Sequence, residues 1–355
     1  MNFTLFGYPK TGKTTLFNLL TGAQIQVKAY DEGKKEPNLR SCAIPDSRLD
    51  KLSSLYPQKE KKPIIVDYID LAGVSYGEIK NEAYLDYLRK ADGLTHVVRE
   101  FKEKQIPYPG KISPGEDILS MEEELILADL ISIDSRLEKL EKELKRTKSA
   151  EGEKEKESLS RIRKALEEKR AIRELDLSSD EEKRLRHFSF LSQKPLIHMI
   201  NVDEENISLL QTPGSFHSPS PGTTVLGFCG KVEMEILELQ EKEKHTFLKE
   251  YGLQEFSAPR FLKSSYELLQ VITFFTIGKK EVKAWTIKEN TPALKAAGAV
   301  HTDMEKGFIK AEVISWEDLI KFRSFQKARE QAAVRLEGKD YIVQDGDVIF
   351  FRFSK

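Results

Sequence analysis

Gly7-Tyr8-Pro9-Lys10-Thr11-Gly12-Lys13-Thr14-Thr15 carries the pattern G-x-x-x-x-G-K-[ST] in full, between a short apolar run at Asn2–Phe6 and an apolar-periodic stretch at residues 16–21. That context puts the glycines in a strand-to-helix turn, the setting a phosphate-binding loop requires. Gly7 and Gly12 allow backbone conformations that aim successive amides inward, and the start of the helix adds its partial positive charge to the same spot. The loop from Gly7 through Tyr8, Pro9, Lys10, Thr11 and Gly12 to Thr15 is therefore expected to cradle a polyphosphate. Lys13 is expected to reach its β- and γ-phosphates as a catalytic charge, and the Thr14 hydroxyl to ligate a Mg2+ that bridges them.

Working outward, residues 64–69 read as a strand running into Asp70-Leu71-Ala72-Gly73. An Asp at the carboxyl end of a strand can hold Mg2+ through water, and a Gly73 amide can approach a γ-phosphate closely. Residues 31–38, between these motifs, read as an exposed loop that is either a γ-phosphate sensor or an ordinary surface turn. A further strand at residues 194–200 leads into Asn201-Val202-Asp203-Glu204. A guanine-specific enzyme carries N-K-x-D here, its Asp accepting two hydrogen bonds from guanine; Glu204 stands in that place, which removes the main reason to prefer guanine over adenine. A polar turn with Asp203 as a helix cap is the plainer reading. Cys229, Gly230 and Lys231, after a strand at residues 224–229, are expected to close the base pocket.

At 355 residues the chain has room for two or three domains. Its 57 Lys and Arg against 58 Asp and Glu leave a net charge of −1, so bulk electrostatics draws it to neither nucleic acid nor membrane. No leader and no apolar run of spanning length is evident, and two cysteines suit neither a disulfide framework nor a zinc site. The expectation is a soluble, cytoplasmic protein, taken as a monomer, with no membrane partner. The histidines lack metal-ligand spacing, and His198, inside the apolar run 196–200, reads as a core or strand-edge residue.

Leu130, Ile133, Leu137, Leu140 and Leu144 repeat at coiled-coil spacing, and Leu159, Ile162 and Leu166 repeat it after a polar break at residues 149–152. The pattern predicts an antiparallel helical hairpin. Residues 134–174 hold 14 Lys and Arg against 11 Asp and Glu, a mildly basic arm that suits RNA or a protein partner. The last quarter alternates as strands at residues 271–277, 280–287, 307–314 and 341–353, a small α+β module.

Taken in order, these motifs resemble the YchF-type Obg-like ATPases, within the translation-factor-related class of P-loop GTPases, over nearly the whole chain. The loop at Gly7, Asp70 to Gly73 and the N-x-x-E form at Asn201 to Glu204 carry the likeness, as does the helical insertion beginning at Glu124. The tail carries it furthest: Glu281-Val-Lys-Ala-Trp-Thr-Ile, His301-Thr-Asp and Gly307-Phe-Ile-Lys-Ala-Glu-Val-Ile look like the family's C-terminal TGS domain. The resemblance implies an α/β fold: a P-loop G domain at residues 1–115 and 188–278, an inserted antiparallel helical hairpin at 116–187, and a β-grasp (TGS) domain at 279–355. It also implies slow Mg2+-dependent hydrolysis of ATP in preference to GTP, and association with ribosomes or their RNA. Two alternatives stay open: a GTP-specific GTPase, and a nucleotide-gated binding module with little or no hydrolysis.

The chain departs from the family pattern in three places. The family loop usually reads G-x-P-N-V-G-K-S, with an Asn of the kind that helps bind an activating K+; here Lys10 stands in its place, and its ammonium could take over the role of that cation. The monovalent-cation requirement is thus open. Val74 follows Gly73 where Ras-like enzymes place a water-orienting Gln. Residues 75–83 lack the family's glycine-rich run.

Overall fold

The computed structural model of the chain describes residues 1–26, 36–75, 77, 79, 81–106, 108, 111–211 and 222–354. Most of the expected loop at 31–38 lies outside them, as do parts of the segments at 75–83 and 106–115. In chain order the strands are β1 Asn2–Phe6, β2 Asn38–Ala43, β3 Glu60–Lys62, β4 Ile65–Asp70, β5 Gly93–Arg99, β6 Leu196–Asn201, β7 Thr223–Phe228, β8 Val271–Ile277, β9 Glu281–Lys288, β10 Phe308–Ser315, β11 Arg335–Glu337 and β12 Asp347–Phe353. The first five helices are α1 Lys13–Thr21, α2 Ser47–Ser54, α3 Glu82–Lys90, α4 Pro114–Arg146 and α5 Ala150–Glu167.

The chain divides into two compact units: Met1–Arg40 with Asp67–Leu268, and Ser41–Val66 with Leu269–Lys355. The first is built on a sheet of order β2-β4-β1-β5-β6-β7. β1 pairs in parallel with β4 and β5, β5 with β6, and β6 with β7. Every residue of β5 and β6 is buried, as inner strands of a parallel sheet covered on both faces must be. β1 lies between β4 and β5, so the chain leaves it at the crevice where neighbouring connections diverge, the usual ligand position in such sheets. α1 ends on Gly22, whose left-handed backbone (φ +63°) lets its N–H reach the Asn18 carbonyl.

α4 serves two cores at once. Its first turns bury Met121, Leu125 and Ala128 with Phe6, Tyr8, Leu85 and Leu196. Farther along, Ile126 and Ile133 join Leu159, Ile162 and Leu166 of α5, with Leu130 and Leu137 packed against them. The helical hairpin expected from the heptads is present, but residue 116 is not its boundary: the start of α4 belongs to the packing of the nucleotide-type sheet. Pro at the start of α4, Glu116 and Asp117 in its first turn and Lys145 and Arg146 in its last all favour the helix ends they occupy.

The second unit has a sheet of order β11-β10-β12-β8-β9-β3. β8 and β9, and β10 and β12, are antiparallel pairs, joined through a parallel contact of β12 with β8, the β-grasp arrangement. Ala293, Ala296 and Ala297 let the helix Ala293–Val300 pack closely on this sheet beside Phe274, Val313 and Phe351. Here the sequence division needs correction. Ser41–Val66, read as part of the G domain, belongs to this unit, as do residues 269–278. β3 adds to the edge of β9 in parallel, and Arg48 of α2 reaches Asp345 at 2.6 Å. Partners more than 200 residues apart leave no local trace.

Among the described residues no helix is long and apolar enough to cross a membrane, and no group of three or more His, Cys, Asp or Glu is arranged to hold a metal. Leu52 of α2 is fully buried. Leu52→Ala should therefore cost about 2–5 kcal/mol of stability in the second unit, read by denaturant melts that follow Trp285 and Trp316.

Candidate nucleotide site

The loop between β1 and α1 is shaped by contacts that only glycine permits at two positions. Gly7 has φ +138° and Gly12 φ +96°, and a methyl group on Gly12 would lie 2.2 Å from Asn201 Nδ2. Asn201 itself is 5% exposed and ties two loops together: its Nδ2 donates to the Thr11 carbonyl at 3.1 Å, while its Oδ1 accepts from the Gly230 amide at 3.0 Å. Gly230 in turn approaches Thr15, so a side chain there would strike the Thr15 methyl at 2.9 Å. The phosphate loop, the corner at Asn201 and the Gly230 turn are thus one packed structure, although the chain separates the loop from the other two by about 200 residues.

Lys13 is buried, and its ammonium donates to the Tyr8 and Gly7 carbonyls at 2.6 and 3.2 Å. The Thr14 hydroxyl donates to Asp70 Oδ2 at 2.8 Å, and Asn38 Nδ2 donates to the same oxygen at 2.9 Å. Gly73 lies against Pro9, where a methyl group would come within 2.6 Å of the proline Cα, and the Val74 amide donates to the Gly7 carbonyl at 3.3 Å. The loop, Asp70 and Gly73 therefore converge. Val74 packs its side chain against the cluster of Phe6, Tyr8 and Ile79 and has no group that could orient water.

Lys10 adopts a left-handed backbone, φ +63°, at a cost of roughly 1 kcal/mol for a residue with a Cβ. Asn tolerates that conformation better, so a Lys at this position carries a backbone cost that an Asn would lessen. Val202 and Cys229 do not face the site. Both are buried with Val98, Ile200 and Val232, so any contribution they make to a ligand comes from their backbone. Glu204 and Lys231 stand at the exposed rim 3.5 Å apart, and Tyr251 donates to the other Glu204 oxygen at 3.3 Å.

Sequence reading missed three features beside the loop. Asn38 had no signal until Asp70 was placed beside it. Arg99, 1% exposed at the end of β5, donates to the carbonyls of Phe101 at 3.0 Å and Ile106 at 3.0 Å, and more loosely to that of Lys10 at 3.4 Å. The Phe101 and Tyr108 rings flank its guanidinium, and burial lowers its pKa. His96 and His198 form a fully buried pair with their Nδ1 atoms 3.1 Å apart. His198 is a core residue, as its apolar surroundings implied, on an inner strand and not on an edge.

A family model named MMR_HSR1, described as a 50S ribosome-binding GTPase, matches residues 2–145, and a second, YchF-GTPase_C, described as a protein of unknown function (DUF933), matches residues 271–354. The chain is 36% identical over 364 residues to the ribosome-binding ATPase YchF of Bacillus subtilis, covering 99% of this chain and 98% of that one. It is 39% identical to the protein of the same name from Haemophilus ducreyi, again over 99% and 98%. The chain belongs to the YchF family. A solved structure of the Schizosaccharomyces pombe YchF GTPase superposes with a TM-score of 0.82 at 27% identity, over 99% of this chain and 97% of that one. Membership makes the protein a P-loop nucleoside triphosphatase in the broad sense, and the packed loop described above is the matching feature.

Burial holds His96 well below the ordinary imidazole pKa, with His198 and Lys13 adding to the effect, and burial likewise lowers His198 despite Glu122. Both rings are therefore neutral in the folded YchF-type unit near pH 7. Unfolded imidazoles take up protons near pH 6.5, the folded ones only at lower pH, so the stability the pair contributes is complete above about pH 6.5 and is lost as pH falls. Nitrogen-15 NMR of the imidazoles should show both neutral at pH 7, and a charged ring at that pH would contradict the assignment.

Proposed function

We propose that this chain binds ATP in preference to GTP together with Mg2+, hydrolyses it slowly, and uses the bound nucleotide to regulate its attachment to the ribosome. The observation that carries the reading is the N-x-x-E corner. Asn201 holds the phosphate loop as a nucleotide-binding Asn does, yet Glu204 extends a longer carboxylate whose two oxygens already engage Lys231 and Tyr251. Guanine would need that carboxylate free for two donors; adenine offers one exocyclic amine on the same edge. The ribosome enters through the names of relatives that match end to end, and the cytoplasm is the corresponding compartment.

In this reading the amides of residues 7–15 hold the phosphates, with Lys13 balancing their charge, and Gly73 approaches the terminal phosphate. The Gly230 turn and Lys231 flank the base. Thr14 and Asp70 present hard oxygen donors 2.8 Å apart, a set that fits Mg2+, and they are the residues that would hold it. The ion would neutralise phosphate charge at that point. Lys10 supplies a fixed positive charge where relatives of the family pattern have Asn. The second reading, a nucleotide-gated module with little hydrolysis, is favoured by Val74, whose side chain is committed to the apolar cluster.

Calorimetry with non-hydrolysable analogues should show tighter binding of the ATP form, weakened when Mg2+ is chelated; tighter binding of the GTP form would overturn the base assignment. Single-turnover assays then separate a slow ATPase from a binding module. If Lys10 replaces the cation, hydrolysis proceeds equally in K+ and Na+, and Lys10→Asn gains a K+ requirement. A strong K+ requirement in the unaltered protein would reject that role.

A further inference from the structure

Beneath the phosphate loop runs a line of buried polar side chains that holds no part of the nucleotide in the reading above. His96 of β5 and His198 of β6 are cross-strand partners, both fully buried, with Nδ1 atoms 3.1 Å apart. His198 Nε2 lies 3.4 Å from Glu122 Oε1 on α4. Glu122 pairs with Arg173, both side chains 5% exposed, and Arg173 also donates to the Ser192 carbonyl at 3.0 Å. At the other end His96 lies under the first glycine of the loop: a methyl group on Gly7 would come within 3.1 Å of its Cδ2 and 3.5 Å of its Nε2. Its ring also meets Tyr8 edge-on.

Hydrogen-bond chemistry gives this line a direction. Burial alone would raise the Glu122 pKa, but His198 and the Arg173 charge overcome it and keep the carboxylate ionised. The ionised Glu122 carboxylate, 3.4 Å from His198 Nε2 though not hydrogen-bonded to it, favours a proton on that nitrogen by its charge, which leaves His198 Nδ1 to accept and His96 Nδ1 to donate. His96 Nε2 then presents a lone pair toward the loop, and among the described residues it has no hydrogen-bond partner. A donor brought to His96 Nε2 would satisfy that arrangement, and the opposite order of protons sets a lone pair against Glu122. One order of protons along the line is therefore favoured over the other.

Its far end lies on the two elements that continue into the helical hairpin: Glu122 in the sheet-packed first turns of α4, and Arg173 just beyond α5. We propose that His96, His198, Glu122 and Arg173 are positioning residues that couple the state of the phosphate loop to the helical hairpin. The coupling rests on the nucleotide reading given above. It assigns to four buried polar side chains a role beyond packing, because neither a packed core nor a phosphate site needs them.

Spin labels at Lys145→Cys on α4 and Glu250→Cys, in a Cys42→Ser background of the full chain, report the hairpin by pulsed dipolar distance measurement. Calorimetry on the same proteins reports binding of the non-hydrolysable ATP analogue with Mg2+. The parent protein should change its distance distribution on binding. His198→Phe and Glu122→Gln should still bind the analogue and lose that change; Glu122→Gln keeps the side-chain shape and serves where the Phe variant fails to fold. A change retained in the Glu122→Gln protein, or absent from a parent that binds the analogue, overturns the coupling alone. No binding by the parent overturns the nucleotide reading, and the coupling with it.

Discussion

The Asn201 side-chain amide is the constraint on which the first unit is assembled. It satisfies the Thr11 carbonyl and the Gly230 amide at once, from a position 5% exposed where either group left alone would cost its full desolvation. Because the amide occupies the space over Gly12, that residue must lack a side chain, and because the Gly230 turn is pulled toward α1, Gly230 must lack one too. One hydrogen-bonding group thus dictates two glycines and brings the carboxyl ends of β1, β6 and β7 to a common corner. The rim residues Glu204 and Lys231 inherit their positions from it.

α4 gives that corner a mechanical neighbour. A helix of 33 residues that starts in the core under the sheet and ends in the hairpin cannot shift at one end without consequence at the other. Burying Glu122 in its early turns makes sense only with a fixed cation beside it, and Arg173 is that group, with His198 Nε2 3.4 Å from the other carboxylate oxygen. The Gly77 amide donates to the Glu124 carboxylate of the same helix, so Gly77 is tied to α4 as well.

The motifs were legible because each is local: the phosphate loop, the strand ending at Asp70 and the N-x-x-E corner are short runs whose backbone demands show in residue type. The hairpin was legible because heptad spacing repeats over many turns. Val202 and Cys229, each one residue past its strand, turn their side chains into the apolar cluster, which lying next to a motif does not reveal. Arg99, Asn38 and the His96 and His198 pair carried no sequence signal, because an isolated Arg, Asn or His has no period.

The sequence by itself determined the chemistry of the loop, the strand and helix series around it and the presence of a second module, since glycine placement, apolar periodicity and capping are encoded within a few residues. Only the tertiary structure decided that Ser41–Val66 belongs to the C-terminal unit, that α4 is shared between two cores, and that two histidines from separate strands meet in the core with Glu122 beside one of them. Those outcomes depend on pairing across long stretches of chain, where the free energy comes from buried area and satisfied polar groups and not from local backbone preference.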